Sequence, residues 1–492
     1  MKYYRLIHVK FLLVLSLILA AGAAMAADKS DDGGHSKTIP GAPWASFNDP
    51  VLNELIHRAI DEDFSIQVAL SRIEQAEAQV ELARASLLPK VYGEGSYALN
   101  GIGPSSSSGS SAELMEALLG ALAAQNIQID VPEGTSSAPD YSQSFTAKLV
   151  AQYNIDITGR YVKAREAAQK DLSASIEDVH AQAVAITSLV VQAYYDVVTA
   201  KLRVKLVETQ IANYEKLLKL ILAQFNVGSS NALEVLQQRA QLEAKKAQLP
   251  LVNIIVESGK VQLASLVGDT VESLPEIDAT LPFVTSPLEV PDTTVLTRHL
   301  QENLPQLKAQ QIRITALKDR EVSARRALLP TLGVFGNVGY QWIRMDGGDS
   351  SDGDVWGLGA TLTVPIYMGG ANHASLKQAR AATLGAQYSY ENAQRQSVSA
   401  VLLAKEREDA QRAYVQALEI QTQVTEQTVT EATKRYVAGL STYLNVLSAN
   451  DALQLNELNL LQAKRDLLNA RISLLEALGG AWTRELVADQ TE

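Results

Sequence analysis

The chain has no cysteine among its 492 residues. Disulfides, thiolate metal sites, a cysteine nucleophile and an N-terminal lipid carried on cysteine are excluded together. An excess of basic charge is also missing, since the formal net charge is −12. Nucleic-acid binding starts from basic surface, so nucleic acid is not an expected partner. The six histidines (His8, His35, His57, His180, His299 and His373) are scattered, with no His-Glu-x-x-His spacing. No Gly-x-Ser-x-Gly elbow and no phosphate-cradling loop occurs. Gly357-x-Gly359 lies inside an alternating stretch and reads as close backbone packing. Asp346, Asp349, Asp352 and Asp354 crowd one glycine-containing segment but miss the calcium-loop spacing, and read as a solvated loop. The expectation is a protein that is not an enzyme, with no cofactor and no metal site.

The one long apolar stretch is at the start. Lys2, Arg5 and Lys10 precede a nearly uninterrupted apolar run at 11–19, and Ala24-Met25-Ala26 supplies the small residues a signal peptidase needs. Residues 1–26 therefore read as a secretory signal peptide. Its removal takes away three basic and no acidic residues, leaving the mature chain at −15. No further uninterrupted apolar run of eighteen residues follows, so no spanning helix is expected, and entry into a membrane would require a closed β-barrel.

Proline and glycine are absent from 160–225. Along that stretch apolar residues recur in alternating steps of four and three, through Leu172, Ile176, Val179, Ala183, Ile186 and Val190 and on to Phe225. This seven-residue repeat predicts one long helix packed lengthwise on a partner. A second stripe one position on (Ala181, Val184, Ser188, Val191, Tyr195, Val198, Leu202) implies a neighbour on each side. The period alone also fits a long helix in an ordinary bundle or rod.

Strands are predicted at about 91–100 and 144–157, the second alternating Phe145, Ala147, Leu149, Ala151, Tyr153, Ile155 and Ile157 with polar residues. Between them lies a serine- and glycine-rich segment in which 112–127 suggests a short amphipathic helix. Gly228 ends the long helix, and a return helix is expected over 232–267, kinked at Pro250. A proline-rich crossing segment occupies 269–291. Then the order repeats. Pro50, Arg72-Ile73 and Leu87-Leu88-Pro89 recur 241 residues later as Pro291, Arg313-Ile314 and Leu328-Leu329-Pro330, while Gly228 and Gly268 recur 211 residues later as Gly439 and Gly479. A loop insertion in the first copy explains the two displacements. The repeats are 27–268 and 292–480, with a tail at 481–492. The second holds strands at about 331–342 and 355–366, a long helix at 371–437 and a return helix at 441–478.

Four strands cannot close a spanning barrel, and their edges would stay open, so several chains must pool them. The competing reading is a small soluble sheet packed on helices. Tyr340, Trp342 and Trp356 near the 3–4 hairpin, and Tyr92, Tyr153 and Tyr367 at the opposite strand ends, suggest two aromatic girdles and outer-membrane lipid as surroundings.

The segments Trp44-x-x-Phe47-x-Asp49-Pro50, Ala-Ser-Leu-Leu-Pro at 85–89, Ala-Leu-Leu-Pro at 327–330 and Arg435-Tyr436-x-x-Gly439-x-Ser441-Thr442-Tyr443-Leu444-Asn445-Val446-Leu447 carry a family resemblance. The chain resembles the TolC family of outer-membrane channel proteins, in the branch serving resistance-nodulation-division (RND) efflux pumps. The resemblance implies a homotrimer with one twelve-stranded β-barrel in the outer membrane of a Gram-negative bacterium, continuous with a periplasmic α-helical barrel. It implies a passive exit duct for small molecules, a periplasmic adaptor (membrane fusion) protein meeting the turns at Val227, Gly228, Ser229, Gly439, Leu440 and Ser441, and an inner-membrane RND transporter supplying energy. It also implies a periplasmic gate at Arg435, Tyr436, Leu444 and Asp451. The sequence departs from many relatives in lacking the lipid-bearing cysteine, and from some in having Asn445 and Ser448 where aspartate rings stand. The alternatives are a TolC-like outlet for type I protein secretion and a soluble periplasmic coiled-coil rod.

Overall fold

The computed structural model describes residues 49–101, 141–282, 286–345 and 350–479. The signal peptide, Trp44 and Phe47, the amphipathic segment at 112–127, Asp346, Asp349 and the C-terminal tail fall outside them. All of the described residues belong to one compact unit.

Each half opens with two short helices. In the first half these are α1 (Pro50–Glu62) and α2 (Phe64–Ala85). Asp49 caps α1, accepting from the amides of Val51 and Leu52, while Pro50 occupies the first turn, where its missing N–H costs nothing. Strands β1 (Lys90–Gly101) and β2 (Tyr141–Ile155) follow, then the long helix α3 (Arg160–Asn226) and the return helix α4 (Ala232–Val267). A 3₁₀ turn at Val271–Ser273 opens the crossing segment. The second half holds α5 (Thr293–Asn303), α6 (Pro305–Arg326), β3 (Thr331–Met345), β4 (Ser350–Thr363), α7 (Ala371–Val437) and α8 (Tyr443–Leu478). Both long helices have 67 residues, which at about 1.5 Å per residue is roughly 100 Å. Helix α6 is α2 displaced by 241, and α7 and α8 are α3 and α4 displaced by 211.

Several boundaries differ from the sequence expectation. Strand β4 runs from Ser350 to Thr363 instead of 355–366, because its ladder with β3 ends at Thr331↔Thr363 and Pro365 beyond has no amide hydrogen to give. Asp352 and Asp354 are thus strand residues, and the Tyr340 hydroxyl donates to Asp352 Oδ2 at 2.6 Å. Strand β2 stops at Ile155, after which the Asp156 carboxylate accepts from the Val162 amide and sets the entry to α3. Helix α8 begins at Tyr443 because Thr442 is extended, with φ −84 and ψ 156. Pro250 sits inside an unbroken α4. Helix α3 contains an eighteen-residue window of mean hydropathy 1.4, apolar and long enough to cross a membrane, but 72% of that window is buried within the chain. Its apolarity serves packing. Between Val179 and Ala200 both stripes are buried apart from the half-buried Ala181, whereas farther along the helix only Val207, Gln210, Tyr214 and Ile221 are.

The strands form one antiparallel sheet in the order β1-β2-β3-β4, so β1 and β4 are its edges. Cross-strand partners share a face, and the register puts most of the exposed large apolar residues on one of the two. One face carries Tyr97, Leu99, Phe145, Leu149, Val338, Tyr340, Trp356, Leu358 and Leu362, all exposed. The other carries Glu94, Ser96, Ser144, Thr146, Lys148, Gln152, Asn154, Asn337, Gln341 and Thr361, with Lys148 paired to Glu94 at 3.3 Å. Helix α3 packs on α2 and α6 toward the sheet, and on α4 and α8 beyond it. The α3–α6 seam is a ladder of ions. Lys163 and Lys170 both reach Asp319, Arg320 reaches Asp171, and Arg313 reaches Asp178.

Candidate functional site

At the end remote from the sheet, the two helical hairpins turn in the same way. Gly228 and Gly439 both take positive φ (77° and 74°), which L side chains rarely adopt. The amides of Ser229 and Leu440 then reach back to the carbonyls of Gln224 and Arg435 at 2.9 and 2.8 Å, closing each helix end. Val227 (75%) and Leu440 (79%) stand out into solvent at these turns, with Ser229 exposed and Ser441 half-buried, its Oγ accepting from Asn445 Nδ2 at 2.9 Å.

Behind the turns a polar network ties the first hairpin to the second. The buried Tyr436 donates its hydroxyl to Glu234 Oε2 at 2.7 Å, and Ser230 donates to the same oxygen at 2.6 Å. Tyr436 also packs edge-to-face on Tyr443, centroids 6.2 Å apart. Tyr443 donates to Oε1 of Gln238, a fully buried amide whose Nε2 donates to the Tyr214 carbonyl at 3.0 Å. The Tyr214 hydroxyl donates to Asp451 Oδ1 at 3.3 Å and accepts from Gln454. One turn deeper, Gln210 donates to Glu457 Oε2 at 2.7 Å. Around this network Ile221 and Val446 complete a small apolar core.

Of the expected gate residues, the structure brings Tyr436 and Asp451 into this network. Among the described residues the Arg435 side chain pairs only with Glu431, four residues back on its own helix, at 3.0 Å, and both side chains are more than half exposed. Leu444 is 67% exposed and lies outside the chain's own core. Glu234, Gln238, Tyr214, Tyr443, Gln454, Gln210 and Glu457 were not singled out by the sequence. Tyr214 is a stop of the seven-residue repeat, which marks it as buried but not as bonded, and Gln210 lies off the repeat although the structure buries it.

Burial sets the electrostatics here. It pushes the Tyr214 hydroxyl up to about 12 and raises Tyr436, where the bond to Glu234 adds to the effect. It lowers Lys245 on α4, against the pull of Asp451 and Glu457. Burial also raises the Glu457 carboxyl, with Glu426 adding to the rise while Gln210 and Lys245 oppose it. A carboxyl whose folded pKa lies above its unfolded value binds its proton more tightly when folded. Its contribution is therefore fully present below the ordinary glutamate range and is lost as pH rises through the raised value. Glu457→Gln is expected to raise thermal stability at neutral pH and to flatten its dependence over that window, which melting curves from pH 4 to pH 8 would read.

On the sheet, Tyr153, Tyr340, Trp342 and Trp356 share the apolar face. Tyr92 does not. It lies on the polar face, where its hydroxyl accepts from Gln152 at 3.1 Å, and so leaves the expected girdle. Tyr367 (84% exposed) lies beyond the end of β4. Tyr97 and Phe145, which the sequence reading passed over as girdle residues, fall on the same cross-strand row as Trp342.

The sequence profile described as outer membrane efflux protein matches residues 55–269 and 296–480. The pyoverdine export outer membrane protein OpmQ of Pseudomonas putida is 29% identical over 89% of this chain and 88% of its own length. The cation efflux system protein CusC of Escherichia coli is 24% identical over 90% and 88%. Among solved structures, the outer-membrane channel OprN superposes with a TM-score of 0.74 at 22% identity, over 94% of this chain and 98% of that one. VceC, the outer membrane protein of Vibrio cholerae, does so with 0.71 at 23%, over 90% and 100%.

Proposed function

The chain belongs to the outer membrane efflux protein family, and from that premise we propose a homotrimer that pools twelve strands into one barrel and lines the periplasm with its helices. It is an outer-membrane efflux channel of the TolC-like fold. Its role is passive: it supplies a continuous wall, while an inner-membrane transporter of the RND class does the work. A periplasmic adaptor protein bridges the two by docking on the exposed turns at Val227–Ser229 and Leu440–Ser441. The network around Tyr436 and Tyr443 acts as the latch of the periplasmic end, with Leu444 narrowing the passage.

The observation carrying this reading is a sheet with one largely apolar, largely exposed face and two edge strands left unpaired within the chain. Neither is tolerable for a single chain in water. The apolar face suits lipid, and the polar face, with its Lys148–Glu94 pair, suits a water-filled lumen. Relatives named for pyoverdine export, toluene efflux and cation efflux favour small cargo over secreted protein. The test is the mass of the mature protein purified in detergent, with its conductance in planar bilayers. A conducting trimer is expected, and a monomer that stays soluble without detergent would overturn the reading.

A further inference from the structure

Among the described residues, acidic side chains that helix packing takes out of water are generally met by cations. Asp319 is held by Lys163 and Lys170, Asp171 by Arg320, and Glu408 by Arg412 and Arg471, while Lys245 acts on Glu457. A carboxylate withdrawn from solvent needs such a partner. Glu476 on α8 departs from this pattern. Burial pushes its carboxyl up, and a hydrogen bond from the buried Ser188 hydroxyl offsets part of the rise. No cation among the described residues acts on it.

Beside Glu476 there is space where the other carboxyl groups have a cation. A cavity of about 240 Å³ opens between α3, the elbow joining α5 to α6, α7 and the last turns of α8. Its walls are small and apolar, with Ala181 and Val184 on α3, Ala400 on α7 and Ala477 on α8. Gln306, Ser397 and Ser473 add oxygens able to accept hydrogen bonds, and Glu476 is the one titratable residue of the lining. Ala400 and Ser473 are exposed and mark the mouth.

We propose that this cavity binds a small organic cation, a primary ammonium carrying a short alkyl chain, with its nitrogen on the Glu476 carboxylate. The donor set decides the class. A calcium-like ion asks for about six to eight oxygens, and one carboxylate among hydroxyls and an amide falls short. A primary ammonium has three N–H donors, which the carboxylate and the neighbouring oxygens satisfy together. Its alkyl chain gains by leaving water for the alanine and valine wall. A quaternary ammonium carries the same charge but has no N–H to donate. The cavity is built from helices of both repeats, so its occupant ties α3 to α7 and α8 and stabilises the folded chain by mass action. The site lies apart from the latch and the turns, and goes beyond the role proposed above.

The test titrates n-butylammonium chloride into the full mature chain in detergent at pH 8 and constant ionic strength. Melting temperature and heat of binding are read, with tetramethylammonium chloride and sodium chloride as controls. A saturable rise in melting temperature and a saturable heat are expected with n-butylammonium alone. Proton and ammonium compete for one carboxylate, so the affinity should fall as pH is lowered, beginning above the ordinary glutamate range. Over that window binding should release protons, seen as a heat that depends on the ionisation enthalpy of the buffer. Glu476→Gln keeps the shape, removes the charge and should weaken binding about tenfold or more. Ala400→Leu keeps the carboxyl, fills the mouth and should weaken it likewise. Each variant tests the site by itself, so a loss of fold in one leaves the other to decide. No saturable effect in the parent overturns the proposal. An effect that the folded variants retain in full, or that tetramethylammonium reproduces, puts the cation elsewhere and overturns it as well.

Discussion

Replacing Tyr436 and Tyr443 together by phenylalanine is expected to raise single-channel conductance and the fraction of time spent open. The substitutions keep both rings, and with them the edge-to-face contact at 6.2 Å, and remove only two hydroxyl groups. One of these donates to the Glu234 carboxylate at 2.7 Å and the other to the Gln238 amide oxygen at 2.8 Å. A bond to a charged acceptor contributes about 1.5–3 kcal/mol and a neutral one about 0.5–1.5 kcal/mol. The two together bias the latched arrangement by about 2–4 kcal/mol in each copy, roughly thirty- to a thousandfold. Glu234 keeps Ser230 as a donor, whereas Gln238 is fully buried and its oxygen loses the Tyr443 donor. Arg435→Ala is the natural comparison. Among the described residues its guanidinium pairs only with Glu431 along the same exposed helix face, an arrangement worth about 0–1 kcal/mol, and a small change is expected. Planar-bilayer recordings distinguish the two variants. If the double phenylalanine variant conducts like the parent, the network is packing and the latch lies elsewhere.

The difference between these two residues marks where sequence reading stopped. Tyr436 and Arg435 are adjacent and belong to the same recognisable segment, yet on a helix neighbours in sequence point about 100° apart, and only one can face the partner hairpin. The period-seven stripe of α3 and the alternation of β2 and β4 were legible because each is a local consequence of one buried face. The repeat was legible because it is a property of the string. The network was not, since Glu234, Gln238 and Tyr443 are joined across 202 to 205 residues and carry no local pattern. Tyr92 failed for a related reason. Being aromatic at a strand end says nothing about which face it takes, and a one-residue step decides that. The outward placement of Asp352 and Asp354 was missed because acidic residues beside glycines favour loops, while the ladder with β3 extends the strand over them.

The largest expected loss of stability comes from a residue with no part in the latch. Glu408 on α7 is an acidic side chain only 1% exposed, held by Arg412 one turn on and by Arg471 of α8. Arg471 places Nε on one carboxylate oxygen at 2.9 Å and Nη2 on the other at 2.6 Å, the two-pronged geometry a guanidinium favours. Both arginines also donate to the carbonyl of Ser286, in the crossing segment between the repeats. Glu408 thus joins α7 to α8 and, through its partners, fixes the segment that connects the two halves. Glu408→Ala leaves two mostly buried guanidinium groups without their counter-charge, a change that costs about 3–5 kcal/mol when one partner of a buried pair is removed. Glu408→Gln retains one acceptor and should cost less. The expected result is a lower melting temperature in the order parent, Gln, Ala, with faster proteolytic cleavage near Ser286 in the same order. Cleavage near Ser286 at the parent rate in a destabilised Ala variant would show that the arginines hold the crossing segment without their carboxylate, and would confine the role of Glu408 to the α7–α8 seam.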